Sequence, residues 1–483
     1  MTDPRYELTR ALERTRDALT RRHFLAGSGF GLGALALGEL AAADDPLAAR
    51  PPTRRATAKQ VIYLHMAGAP PQHDTFDPKP RLQELSGQLC PQAFIEGKRL
   101  AFIKGHPTLL GSPYGLVRRG SQGILTGELI PHMSGLLDDI TLVRSMHTDQ
   151  FNHAPADLKL FTGSPTFGAA SMGAWVTYGL GSMNSDLPGY VVLVSGGSDP
   201  TGGKSIWGSG FLPSVHQGVR LRSSGDPILY VSDPAGMDRS LRRRTLDTLR
   251  SINSRRFEEQ GDPETATRIE QYELAFRMQS SVPELMDLSR ESAEVHELYG
   301  SRPGESSFAN HCLLARRLVE AGVRFVHLFD WGWDIHGTGP HDDLLTMFPK
   351  KCQETDRPVA ALVRDLDRRG LLDETLVVWG GEFGRTSMNE ARGGSKFLGR
   401  DHHPDCFSMW LAGGGVQRGL VYGETDELGY TITQDPVSVT DLQATILHLL
   451  GLDPHELRYP YRGLSQRLVG PADEFRVVHE IIA

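Results

Sequence analysis

The strongest pattern along the chain is a set of short runs in which nearly every position is apolar, each closing on glycine or on charged and imidazole side chains. The first is "KQVIYLHMAGAPPQHDTFDPKP" (59–80). "DDITLVRSMH" (138–147), "GYVVLVSGG" (189–197), "GVRFVHLFDWGWDIHG" (322–337), "ETLVVWGGEFGRT" (374–386) and "CFSMWLAGGG" (406–415) follow. A continuous apolar run of this length, bounded by turn signals, predicts a strand buried on both faces. Between the runs, segments 126–137, 154–162, 171–181, 306–321, 342–369 and 438–450 read as helical. Strands alternating with helices predict an α/β fold with a mostly parallel central sheet and helices on both faces. The stretch from 198 to 300 has weaker strand signals and long charged helical patterns, so it is expected to be a helical insertion within a domain running from 59 to 483. No internal repeat interrupts this order.

The N-terminal pattern is different. "TRRHFLAGSGFGLGALALGELAAADDP" (20–46) sets Arg21 and Arg22 before a Gly/Ala/Leu segment that ends in small residues. That order predicts a twin-arginine signal peptide over 1–43, cleaved after Ala43, and export to the periplasm or beyond. The apolar run is short and rich in glycine, which argues against a stable membrane span after cleavage. Residues 44–58, rich in Pro, Arg and Ala, are expected to be a linker.

Charge then narrows the partners. The 51 basic and 59 acidic residues give a net charge of −8. The one Arg-dense stretch, 237–259, alternates Leu and Arg as a solvated helix face would. Nucleic acid is not an expected partner. Cys90, Cys312, Cys352 and Cys406 are far apart and form no CxxC pair. A zinc knuckle is therefore unsupported, and free buried thiols are expected, with one disulfide as the alternative.

In a parallel α/β sheet the site forms at the carboxyl ends of the strands, and here those ends are polar. "HMAGAPPQHDTFDPKP" offers His65, His73, Asp74 and Asp77, the last also suited to capping a turn. "RSMHTDQFNHAPADLKLFTG" (144–163) offers His147, Asp149, Asn152 and His153, and Asn152 or His153 can also cap the helix that follows. "WDIHGTGPHDD" holds Asp334, His336 and His341. "GGEFGRT" holds Glu382 and Arg385, whose plain alternative is an ion pair, and "GRDHHPDC" (399–406) holds Asp401, His402, His403 and Asp405. Crowding carboxylates and imidazoles at buried strand ends is costly without a cation. Adjacent residues of an extended segment point to opposite sides. Only one of His402 and His403 is therefore expected to face such a cluster, with His402 favoured.

"LDRRGLLDETLVVWGGEFG" (366–384) and "SVTDLQATILHLLGLD" (438–453) resemble the alkaline phosphatase and sulfatase superfamily. More narrowly, "MAGAPPQHDTFDPKP", "RSMHTDQFNHAPA", "SMGAWVTYGLG", "WDIHG", "GGEFGRT", "GRDHH" and the leader resemble an exported bacterial family of sulfatase-like proteins of unknown function, over nearly the whole chain. The resemblance implies an alkaline phosphatase/sulfatase-like fold. It implies metal binding by Asp74, by Asp334 with His336, by Glu382 and by His402 or His403. Mixed imidazole and carboxylate ligands suit zinc, manganese or iron better than calcium or magnesium. Counting ten residues back from Gly163 places His153 where such enzymes keep their nucleophile, and Phe383 stands where a second polar ligand is usual.

These readings lead to a metal-dependent hydrolase of small-molecule or glycan sulfate or phosphate esters in the cell envelope. His153 would serve as base or ligand beside a metal-activated water, and Arg385 would hold the anion. The alternatives are a non-catalytic protein that binds metal or anionic glycans on the same fold, and a metalloenzyme such as a transferase or mutase.

Overall fold

Nine strands form one sheet in the computed structural model, which describes residues 46–98, 100–223, 227–228, 236–261, 263–470 and 474–483. The expected signal peptide over 1–43 and its expected cleavage after Ala43 lie outside the described residues. The strands are β1 (Gln60–Ala67), β2 (Ile140–His147), β3 (Tyr190–Ser195), β4 (Val219–Arg220), β5 (Phe325–Trp331), β6 (Thr375–Gly380), β7 (Phe407–Ala412), β8 (Leu420–Tyr422) and β9 (Val437–Ser438). Their order is β8-β2-β7-β6-β1-β5-β3-β4, with β9 against β2. β7 runs antiparallel to both of its neighbours, and every other pairing is parallel.

Alternate residues of β1 enter different cores, as the period of a strand requires. Ile62, Leu64 and Met66 pack on one face with α5 (Phe308–Glu320) and α6 (Met347–Arg368). Val61 and Tyr63 pack on the other with α1 (His153–Thr162), α2 (Met172–Leu180) and α7 (Val439–Leu449). Every residue of β1, β6 and β7 is buried, which is why these runs are mostly apolar instead of alternating.

Two expectations are corrected. Segment 126–137 is not an α-helix: Ile124–Gly127 pairs with Leu116–Arg119 as a hairpin, and Ser134–Leu136 is a single 3-10 turn. Gly127, Pro131 and Gly135 break the helical pattern there. Within 198–300, α3 (Arg239–Gln260) and α4 (Pro263–Met286) are the long charged helices, but Val219–Arg220 of the same stretch joins the sheet as its edge strand. All four cysteines are free and buried. No helix of the described residues is long and apolar enough to cross a membrane.

Candidate metal centre

Because β7 alone is antiparallel, its first residues lie at the edge where β1, β2, β5 and β6 end. His402–His403 pairs with Gly384–Arg385 just before β7 begins. Asp334 and His336 follow β5, Glu382 follows β6, and His153 opens α1 after β2. The turn after β1 is tight. Gly68 has φ +105°, and a Cβ there would lie 2.4 Å from the Asp334 nitrogen, so only glycine lets these two loops meet.

Ligand-type atoms of His153, Asp334, His336 and His402 all lie within 4.8 Å of one another. Asp334 Oδ1 stands 3.1 Å from His153 Nε2, 2.8 Å from His336 Nε2 and 3.4 Å from His402 Nε2. Ligands about 2.0–2.2 Å from a tetrahedral metal stand about 3.3–3.6 Å apart, so a small expansion of this cluster admits one ion. The His153 Nε2 is buried and makes no hydrogen bond, although it is aimed at the cluster. The outer nitrogens are all occupied. His153 Nδ1 lies 2.5 Å from Glu382 Oε1, His336 Nδ1 meets Glu390, and His402 Nδ1 donates to the Phe151 carbonyl at 2.8 Å. This is how ligating imidazoles are held, with Nδ1 on a carboxylate or carbonyl and Nε2 turned inward. The donor set therefore fits a divalent metal. The Asp334 side chain is 25% exposed, which opens the cluster to solvent.

The charges support the same geometry. Burial penalises an ionised Asp334, but Arg385 and the three imidazoles outweigh it and hold its carboxyl far below the usual range. Burial likewise opposes a charged His153, yet Asp334 and Glu382 push its imidazole up to about 9. The same burial pulls His402 down to about 4. The buried Glu382 and the half-buried Asp334 thus draw positive charge to this point, as protons or as a cation.

Glu382 stands behind the four atoms rather than among them. Its oxygens accept from Gly68 N at 3.0 and 3.3 Å, and Oε2 lies 3.5 Å from His65 Nε2. His65 in turn meets Asp157 Oδ1 at 3.0 Å, and Asp157 Oδ2 accepts from Thr201 and Gly202. A buried chain Asp157–His65–Glu382–His153 results.

Asp74, expected as a ligand, instead forms a buried pair with Arg400, whose Nε and Nη2 reach its oxygens at 2.8 and 3.2 Å. Asp74 is not among the residues whose ligand-type atoms converge with Asp334. His403 is turned away by the strand alternation, with Nε2 2.6 Å from the Tyr430 carbonyl and its ring stacked on Tyr430. Arg385, expected to hold an anion, is 1% exposed and donates to Ala69 O, Arg400 O, Gly68 O and Asp334 Oδ1. It braces Asp334 instead. His341 is exposed, outside the cluster. Asp77 pairs with Lys79 and hydrogen-bonds Thr425. Asn152 does begin α1, but its side chain makes no cap hydrogen bond.

Sequence reasoning missed Asp157, Glu390, Arg392 and Arg400. Asp157 carried a signal: it lies four residues after His153 in an otherwise apolar helical stretch, so both fall on one face. Glu390 and Arg392 lie in "MNEARGGS", where nothing distinguishes them from a polar loop.

A family model described as "Protein of unknown function (DUF1501)" matches residues 58–482. No curated protein matches. Among solved structures the chain is similar to Ps i-CgsB in complex with k-i-k-neocarrahexaose, at 10% identity over 82% of this chain and 72% of that one, with a TM-score of 0.36. It is similar to a protein in the alkaline phosphatase superfamily from Vibrio parahaemolyticus, at 11% identity over 91% and 74%, TM-score 0.36. It is also similar to the PsFucS1 sulfatase from Pseudoalteromonas sp., at 12% identity over 87% and 71%, TM-score 0.33. With the family model matching from the start of β1 nearly to the last residue, the chain belongs to the family of proteins of unknown function DUF1501.

Proposed function

We propose that His153, Asp334, His336 and His402 hold one divalent metal, zinc or manganese, and that the chain uses it to hydrolyse sulfate or phosphate esters. The observation that carries this reading is the convergence of three imidazole Nε2 atoms on a single Asp334 oxygen, each imidazole fixed from behind. A metal bound there supplies Lewis acidity that polarises an ester oxygen. Glu382 orients His153, and Arg385 keeps Asp334 ionised and pointed into the site. The solvent-facing side of Asp334 leaves room for a substrate to approach. Export through the twin-arginine leader is part of the proposal and agrees with a protein that carries its metal through the membrane already folded.

The test is hydrolysis of a panel of chromogenic sulfate and phosphate esters by the metal-loaded chain. The reading expects turnover of at least one ester, lost in Asp334→Asn and on chelation. A chain that binds metal stoichiometrically and hydrolyses none of them would leave metal binding standing and remove the hydrolase assignment.

A further inference from the structure

Two cations touch the cluster, and they differ in what they have left to offer. Arg385 is buried and its guanidinium is spent on three backbone carbonyls and Asp334. Arg392 is 41% exposed. Its Nε donates to Glu390 Oε1 at 2.5 Å, while the other oxygen of Glu390 holds His336 Nδ1, and its Nη2 lies 3.3 Å from that same ring nitrogen. Nη1 meets no polar atom of the described residues. One buried carboxylate therefore fixes the guanidinium and a cluster imidazole in a set relation.

The aromatic beneath completes the arrangement. The Arg392 guanidinium carbon lies 4.2 Å above the Phe102 ring. That ring stands edge-on to His336 and His402, with centroids 5.4 and 5.2 Å away. Phe102 is itself 41% exposed. The stack supports the guanidinium plane from one face, and a guanidinium offers N–H donors in a fork that matches a tetrahedral oxyanion.

We infer that Arg392, seated on Phe102, is the subsite for the sulfuryl or phosphoryl oxygens of the ligand, the task that the sequence suggested for Arg385. The inference deepens the ester-hydrolase reading and rests on it. Glu390 then couples the two halves of the site, keeping His336 in ligating orientation with one oxygen and the exposed Arg392 beside that ring with the other.

The experiment titrates the full-length chain with inorganic phosphate and inorganic sulfate by calorimetry, with bound metal measured on the same samples, for the wild type, Arg392→Gln, Arg392→Lys and Phe102→Leu. Arg392→Gln is expected to weaken anion binding about tenfold or more with its metal content unchanged, because it removes charge and fork together. Lysine should restore only part of the affinity, since it returns a point charge without the fork. Phe102→Leu should weaken binding by about threefold, the loss of one cation–π support. A Kd in Arg392→Gln within about twofold of the wild type, well short of a lost charge-assisted fork, overturns the inference. So does loss of metal in step with loss of anion, which would make Arg392 a support for His336. If the wild type hydrolyses esters and binds anions but Arg392→Gln does so equally, the inference alone fails. A metal-loaded wild type that binds neither anion removes the hydrolase reading as well.

Discussion

The Nε2 atoms of His336 and His402 stand 3.1 Å apart and both face Asp334 Oδ1, at 2.8 and 3.4 Å. Each ring is pinned through its Nδ1, one by Glu390 and one by the Phe151 carbonyl, so neither can rotate away without leaving a buried polar group unpaired. Two inward imidazole nitrogens and a carboxylate at this spacing form a group of metal-ligand type.

Replacing Asp334 by Asn keeps its shape and removes its charge. Bound metal, measured by elemental analysis after dialysis, should fall at least about tenfold, and His336→Ala should match it. Undiminished metal in Asp334→Asn would detach this carboxylate from the site.

Glu382 and Asp74 are both buried carboxylates from strand ends, but they should behave differently. Glu382→Gln should lower metal affinity by about 10–100-fold, as loss of an orienting outer partner does, while leaving the unfolding midpoint near the wild-type value. Asp74→Asn should do the reverse. It leaves Arg400 as an uncompensated buried charge, a cost of about 3–5 kcal/mol by denaturant unfolding, with metal retained. Equal metal loss in both would place Asp74 in the centre after all.

Gly68→Ala puts a side chain at φ +105° and against the Asp334 backbone. The backbone strain alone costs about 1–3 kcal/mol. The contact should also displace Asp334, so this variant should lose thermal stability and metal together. Gly197→Ala, also at positive φ but with nothing within 4 Å of its added Cβ, is the control and should keep its metal.

Arg21→Lys with Arg22→Lys should stop export while the cytoplasmic chain stays folded and soluble, read by fractionation and protease resistance. Periplasmic accumulation of the double variant would remove the twin-arginine route.

The alternation of fully apolar runs with helical segments was enough to read the sheet, because strands buried on both faces cannot hide their composition. β4 escaped, since two edge residues carry no such pattern. Asp334, His336, His153 and His402 were legible as polar residues at buried strand ends. The strand period required that only one of His402 and His403 face the cluster, and distance from Pro404 favoured His402. Which carboxylate joins the cluster and which pairs with an arginine was not legible: Asp74 and Arg400 are 326 positions apart, and only the fold brings them to 2.8 Å. The same holds for Glu390 and Arg392, whose loop reads as ordinary polar chain until it is seen to lie behind His336.

The most direct test of the central claim is a titration of the metal-stripped, full-length chain with zinc, followed by X-ray absorption at the zinc edge. The four-residue centre predicts one tightly bound zinc per chain, with three imidazole nitrogens and one carboxylate oxygen at about 2.0–2.2 Å, and its loss in an Asp334→Asn, His402→Ala double variant. A chain that takes up no stoichiometric zinc, or one whose bound zinc keeps the same coordination in that double variant, would contradict it.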